Sequence, residues 1–202
     1  SNLKTSRPYH FYVQAICSDT TQSDWEVGHF YTDCDVIDVT EGLVEGFDYY
    51  GVGQGVKPNC YIVGNLTEGA SAANIPYCSK EWSNSGSASL MLKSTIAENG
   101  AYAITPEINV DSISKYRVKF HASVGDYASS QYARELIVAV VTDPNDMATR
   151  ENIATLTIQP GEGLDYEVSF DEYEGDYDGV YGRHIMFLSE FTKSNVIFID
   201  DV

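Results

Sequence analysis

The chain has 202 residues, 43% of them apolar, and carries 12 basic against 30 acidic side chains for a formal net charge of −18. That length fills one large sandwich or one to two smaller domains. Binding to nucleic acid needs clustered Lys and Arg that release phosphate counterions, so scattered cations in an acidic chain exclude it. Anionic lipid is disfavoured for the same reason, while solubility and divalent cations are favoured.

Fifteen Tyr and few runs of helix formers point to strands. Residues 9–17 (YHFYVQAIC) and 26–34 (EVGHFYTDC) read as two strands around the polar turn SDTTQSDW. Two strands are not a stable domain, so they pack on the next domain or belong to a larger unit. The polar opening and strand-like close read as an internal piece of something longer. Residues 35–46 read as a linker or short first strand. Residues 47–79 read as a long irregular loop that contains GVGQG. From residue 87 the strands resume: SASLMLKS, AYAITPEINV, KYRVKFHASV, ELIVAVVTD, ENIATLTIQ, YEVSFDEY, RHIMFLSE and NVIFIDDV. In KYRVKFHASV, Tyr116, Val118, Phe120 and Ala122 fall on one face and Arg117, Lys119 and His121 on the other. About eight strands with frequent turns define an all-β, two-sheet β-sandwich of the jelly-roll kind. The segment DPNDMATREN at 143–152 reads as a turn or a single helical turn. There is no apolar run long enough for a transmembrane helix, and the opening residues do not read as a basic-then-apolar signal peptide.

Four cysteines, Cys17, Cys34, Cys60 and Cys78, form no CxxC pair and have no His at ligand spacing, which argues against zinc. An even number in such a chain favours disulfides and an oxidising compartment. Cys17–Cys34 would close the hairpin and Cys60–Cys78 would staple the loop, although three pairings are formally open.

Catalytic motifs are missing: no GxSxG, HExxH or GxxxxGK[ST] occurs. GVGQG lacks the flanking strand and helix that cradle phosphate. A sugar-cleaving sandwich needs two carboxylates about 5–9.5 Å apart in a cleft. The acids show no such alternation, and the adjacent Asp200 and Asp201 are expected on opposite faces of a strand. The chain therefore reads as no enzyme. In the acidic loop 171–182, Asp176, Asp178 and Gly179 echo part of a calcium loop without the remaining ligands. Trp25, Trp82, Tyr49, Tyr50, Tyr77 and Tyr102 could stack on sugar rings. Of these, Trp82 and Tyr77 are the binding candidates, because they fall in the irregular loop.

Residues 9–34, ending Phe30, Tyr31, Thr32, Asp33, Cys34, resemble the last two strands of a fibronectin type III domain as found in Bacteroidetes surface proteins. From about residue 36, GFDYYG, SGSASLMLKS, AYAITPEINV, VVTDPNDMATRENIATLTI and VIFIDDV come in the order of the cleaved-adhesin and MAM-like (choice-of-anchor J) jelly-roll domains. These occur in gingipain haemagglutinin regions and in many Bacteroidetes surface proteins. The resemblance implies a fibronectin-like fragment at 1–35 and a jelly roll at 36–202. It implies a secreted or cell-surface adhesion module that binds carbohydrate or host glycoprotein. It also implies first and last strands side by side, with a structural calcium held by Asp48 and Asp201, and Glu45 as a lesser ligand. Calcium between them would relieve the mutual repulsion of converging carboxylates. The acidic, glycine-rich run that follows the first strand in gingipain members is missing here, which speaks against a second calcium site. The sequon at Asn65 and the Asp111-Ser112-Ile113 pattern read as chance.

Overall fold

The structure, a computed structural model, describes residues 3, 8–18, 21–41, 43–125, 132–175, 182–190 and 195–202. Asp176, Asp178 and Gly179 lie outside the described residues. The N-terminal part forms β1 (Pro8–Val13), β2 (Ile16–Ser18), β3 (Thr21–Gln22) and β4 (Glu26–Tyr31). The remainder forms β5 (Ile62–Asn65), β6 (Tyr77–Ser79), β7 (Ser89–Ser94), β8 (Ala101–Ile104) and β9 (Arg117–Ser123). These are followed by β10 (Arg134–Val141), β11 (Arg150–Ile158), β12 (Leu164–Ser169), β13 (His184–Ser189) and β14 (Asn195–Asp200).

Two five-stranded antiparallel sheets face each other. One has the order β11-β10-β13-β8-β5, the other β12-β9-β14-β7-β6. Period-2 alternation builds the core between them. Along β9, Val118, Phe120 and Ala122 are buried, while Arg117 and Lys119 face outward to Glu167. Tyr116 lies just outside the strand and is exposed. Phe120 meets Phe187 of the opposite sheet edge-to-face, with ring centres 5.1 Å apart. Five phenylalanines, Phe47, Phe120, Phe170, Phe187 and Phe198, are fully buried, each contributing roughly 1.5–3 kcal/mol over an exposed ring. The segment 143–152 does form one 3₁₀ turn, Met147–Thr149, capped by the Asp146 carboxylate, which accepts from the Ala148 amide at 2.9 Å. Among the described residues no helix is long and apolar enough to cross a membrane.

Residues 47–79 are not the irregular loop the sequence suggests, because they supply an edge strand to each sheet. The four residues of β5 and three of β6 are too short to show a period. The glycine in β5 has a packing cause. Gly64 is the cross-strand partner of Tyr102, and a Cβ there would lie 2.4 Å from the Tyr102 hydroxyl.

β1 and β4 form a separate hairpin whose Phe11, Tyr12, Val27 and Phe30 remain exposed. It docks on the sandwich through Tyr31, whose ring stacks on Tyr50 and whose hydroxyl donates to the Tyr49 carbonyl. His10 packs edge-on against Tyr49. A disulfide joins Cys34 to Cys60, with Cα atoms 5.3 Å apart. This corrects both expected pairings, Cys17–Cys34 and Cys60–Cys78. The register pairs Pro8 with Tyr31 and Val13 with Glu26, so Cys17 lies beyond the turn end of the hairpin and Cys34 beyond the other. Cys78 is buried in the sandwich core, while Cys60 is committed to Cys34. Cys17 and Cys78 are free thiols, the first exposed.

Candidate functional site

The site forms where the first and last segments of the sandwich meet. Glu45 and Val202 exchange two backbone hydrogen bonds, of 2.8 and 2.9 Å, which sets the two segments side by side as the resemblance implied. Two non-glycine residues at this junction adopt left-handed backbone, Phe47 (φ 57°) and Asp201 (φ 50°). Such conformations cost of order 1–3 kcal/mol each and persist only where surroundings hold them. Buried Phe47 packs against Tyr61, and the turn at Asp201 redirects its carboxylate.

That turn overrides strand alternation. Asp200 and Asp201, expected on opposite faces, instead grip the same loop. Asp200 is buried, and its Oδ2 accepts from the amides of Asn84 (2.8 Å) and Ser85 (3.1 Å), while Oδ1 accepts from the Asp201 amide. Asp201 accepts from the Asn84 side-chain amide (2.7 Å) and the Ser85 hydroxyl (2.6 Å). Asp48 reaches the far end of that loop, its Oδ1 accepting from the amides of Ser87 and Ala88. Gly86 (φ +59°) lies directly against Asp48, and a Cβ there would fall 1.9 Å from Oδ2. Three carboxylates thus fix the stretch 84–88 to the junction of the first and last segments. Burial pushes the Asp200 carboxyl up to about 6; the Ser85 and Asn84 amides oppose that shift, and the neighbouring Asp201 charge adds to it.

Of the three expected metal ligands, the structure brings two together. Asp48 Oδ2 and Asp201 Oδ1 lie 3.5 and 3.8 Å from the position of a Cβ on Gly46. Among the described residues no donor reaches Asp48 Oδ2. Glu45 turns the other way. Its Oε1 accepts from the Phe47 amide (2.7 Å) and its Oε2 from the Tyr50 hydroxyl (2.6 Å). Burial and then the Glu45 charge push the Tyr50 and Tyr61 phenols well above their usual range, and the Cys78 thiol up to about 12. Among the described residues no three His, Cys, Asp or Glu side chains gather as a metal-holding group. The donors at Gly46 are carboxylate oxygens with the Ser85 and Ser87 hydroxyls nearby. Such a donor set fits a hard cation of the calcium type, completed by water, and does not fit zinc.

Trp82 and Tyr77 belong to one cluster on the outer face of the second sheet. Tyr77 is buried there with Met91 and Phe198, and half-buried Trp82 packs on top. The Trp82 ring stacks on His121 at 5.9 Å and 14°, and its carbonyl accepts from Ser89 Oγ. The other aromatics scatter: Tyr102 covers Gly64, Tyr50 meets Tyr31, and Trp25 is exposed on the hairpin side. The site residues that sequence reasoning missed are Asn84, Ser85, Gly86 and Ser87, and it assigned Asp200 no role in holding a loop. The only signal for the residues of the loop was the run SNSGS at 83–87, rich in residues that turn and bond the backbone.

The fold is that of an all-β jelly-roll sandwich. Solved structures similar to it include the K2 cleaved adhesin domain of Lys-gingipain, at 13% identity and TM-score 0.56, covering 79% of this chain and 96% of that one. The K1 and K3 cleaved adhesin domains of Lys-gingipain from Porphyromonas gingivalis W83 each match at 14% identity and TM-score 0.53. They cover 79% of this chain and 94% and 95% of their own. At these identities the likeness establishes the shared fold. No protein-family model and no curated protein matches the sequence.

Proposed function

We propose that this chain is a non-catalytic binding or adhesion module, secreted or displayed on a bacterial surface. Carbohydrate or host glycoprotein would be recognised at the loop 80–88, with Trp82 as the contact aromatic and Tyr77 supporting it from below. One observation carries the reading: the small polar stretch from Asn84 to Ala88, directly after Trp82, is fixed by the carboxylates of Asp48, Asp200 and Asp201. A loop held rigid on a sandwich keeps its binding groups in place before the ligand arrives, which reduces the ordering cost of association. Calcium between Asp48 and Asp201 would tighten that anchorage, with Glu45 acting on the fold through Phe47 and Tyr50.

A second reading, a structural accessory domain of a larger secreted enzyme, draws support from the hairpin. The Cys34–Cys60 disulfide and the Tyr31–Tyr50 stack fix it against the sandwich as a spacer would require. Screening the calcium-loaded protein on arrays of glycans and host glycoproteins separates the two. Saturable retention on a defined set of glycans supports the binding module. A uniform background across the array overturns it and leaves the spacer.

A further inference from the structure

The four histidines divide into two kinds. His121 and His184 have their Nδ1 atoms engaged, by Asp165 Oδ1 at 2.8 Å and the Thr105 carbonyl at 2.9 Å. His10 and His29 are direct cross-strand partners on β1 and β4, both exposed, with ring centres 6.5 Å apart and planes tilted 53°. Among the described residues no polar atom hydrogen-bonds either imidazole.

Directly opposed residues of an antiparallel pair have Cα atoms about 4.5–5.5 Å apart and side chains on one face. Two imidazoles on one ion, with metal–nitrogen bonds of about 2.0–2.1 Å, place their ring centres roughly 5–6 Å apart. The observed 6.5 Å separation lies close to that spacing. The Tyr49 ring against His10 and the Tyr31 ring edge-on to His29 limit the rings' wandering. We infer that His10 and His29 form a binding site for a borderline transition-metal dication such as Zn²⁺, Ni²⁺ or Cu²⁺. Imidazole suits these ions and calcium does not compete for it, with water completing the coordination. The site is separate from the carboxylates at Gly46 and would cross-link β1 to β4 within the hairpin.

The test is a calorimetric titration of metal-stripped Cys17→Ser protein with ZnCl₂ in excess calcium, which removes the exposed thiol and fills the hard-cation donors. Imidazole proton resonances are followed in parallel in the same protein, a readout that needs no histidine variant. One ion per chain, with shifts confined to His10 and His29, is expected. Affinity should fall at least tenfold in His10→Gln or His29→Gln and stay unchanged in His121→Gln. No saturable binding, unshifted His10 and His29 resonances, or equal affinity in the double His10→Gln/His29→Gln variant overturns the site.

Discussion

The Tyr31 ring lies on the Tyr50 ring, centres 5.0 Å apart and planes 13° from parallel, and Tyr50 in turn donates to the buried Glu45 carboxylate. This relay links the hairpin to the same junction that holds Asp48 and Asp201. Reduction of Cys34–Cys60, or Cys34→Ser, should therefore loosen the hairpin more than the sandwich. Amide exchange in β1 and β4 should rise by an order of magnitude or more, with β9, β10 and β14 protected. In the chain-entropy account a crosslink over 26 residues contributes about 3.5 kcal/mol. Equal loss of protection in both parts would show that the disulfide supports the whole fold instead.

Asp200 is the buried anchor of the loop. Replacing it by Ala leaves the Asn84 and Ser85 amides without their acceptor, which should cost about 2–4 kcal/mol in denaturant unfolding. Gly86→Ala should also destabilise, because it adds a Cβ against Asp48 at a left-handed backbone position. An unchanged midpoint in both variants would mean that the carboxylates do not hold the loop.

The calcium proposal makes a thermodynamic demand. A ligand bound only by the native state stabilises it by RT ln(1 + L/Kd), where L is the free ligand concentration. Adding calcium to EDTA-stripped protein should raise the Tm by several degrees, and Asp48→Asn or Asp201→Asn should remove the increment. A Tm that does not respond to calcium would eliminate the site.

The thiols should behave unequally. Cys17 is exposed, whereas burial and the nearby Glu45 charge hold the Cys78 thiol up at about 12. Thiolate is the reactive form, so iodoacetamide at neutral pH should label Cys17 alone in the native protein and both after unfolding. Peptide mapping should recover Cys34 joined to Cys60. Rapid native labelling of Cys78 would contradict its burial.

Strands with clean alternation or long apolar runs were legible in the sequence. β9 shows its inward Val118, Phe120 and Ala122, and β10 and β14 show near-continuous apolar stretches. β5 and β6 were not, because three or four residues carry no period and Gly64 looks like a loop residue until Tyr102 is placed over it. The disulfide was illegible for a related reason. Pairing Cys34 with Cys60 depends on how the hairpin docks, a tertiary fact that local spacing does not encode. In the site, the closeness of Asp48 and Asp201 followed from the resemblance. The role of Asp200 did not, since the left-handed turn at Asp201 cancels the alternation by which adjacent acids are sorted.

The most direct test of the binding reading is the affinity of a glycan or glycoprotein retained in the array, measured by calorimetry for the wild type and for Trp82→Leu. Leucine keeps the apolar cover over Met91 and Phe198 and removes the aromatic face. A sugar ring stacked on that face loses its platform with it, so the account predicts at least a tenfold weaker Kd with an unchanged fold. Equal affinity in the two proteins would contradict recognition at the 80–88 loop.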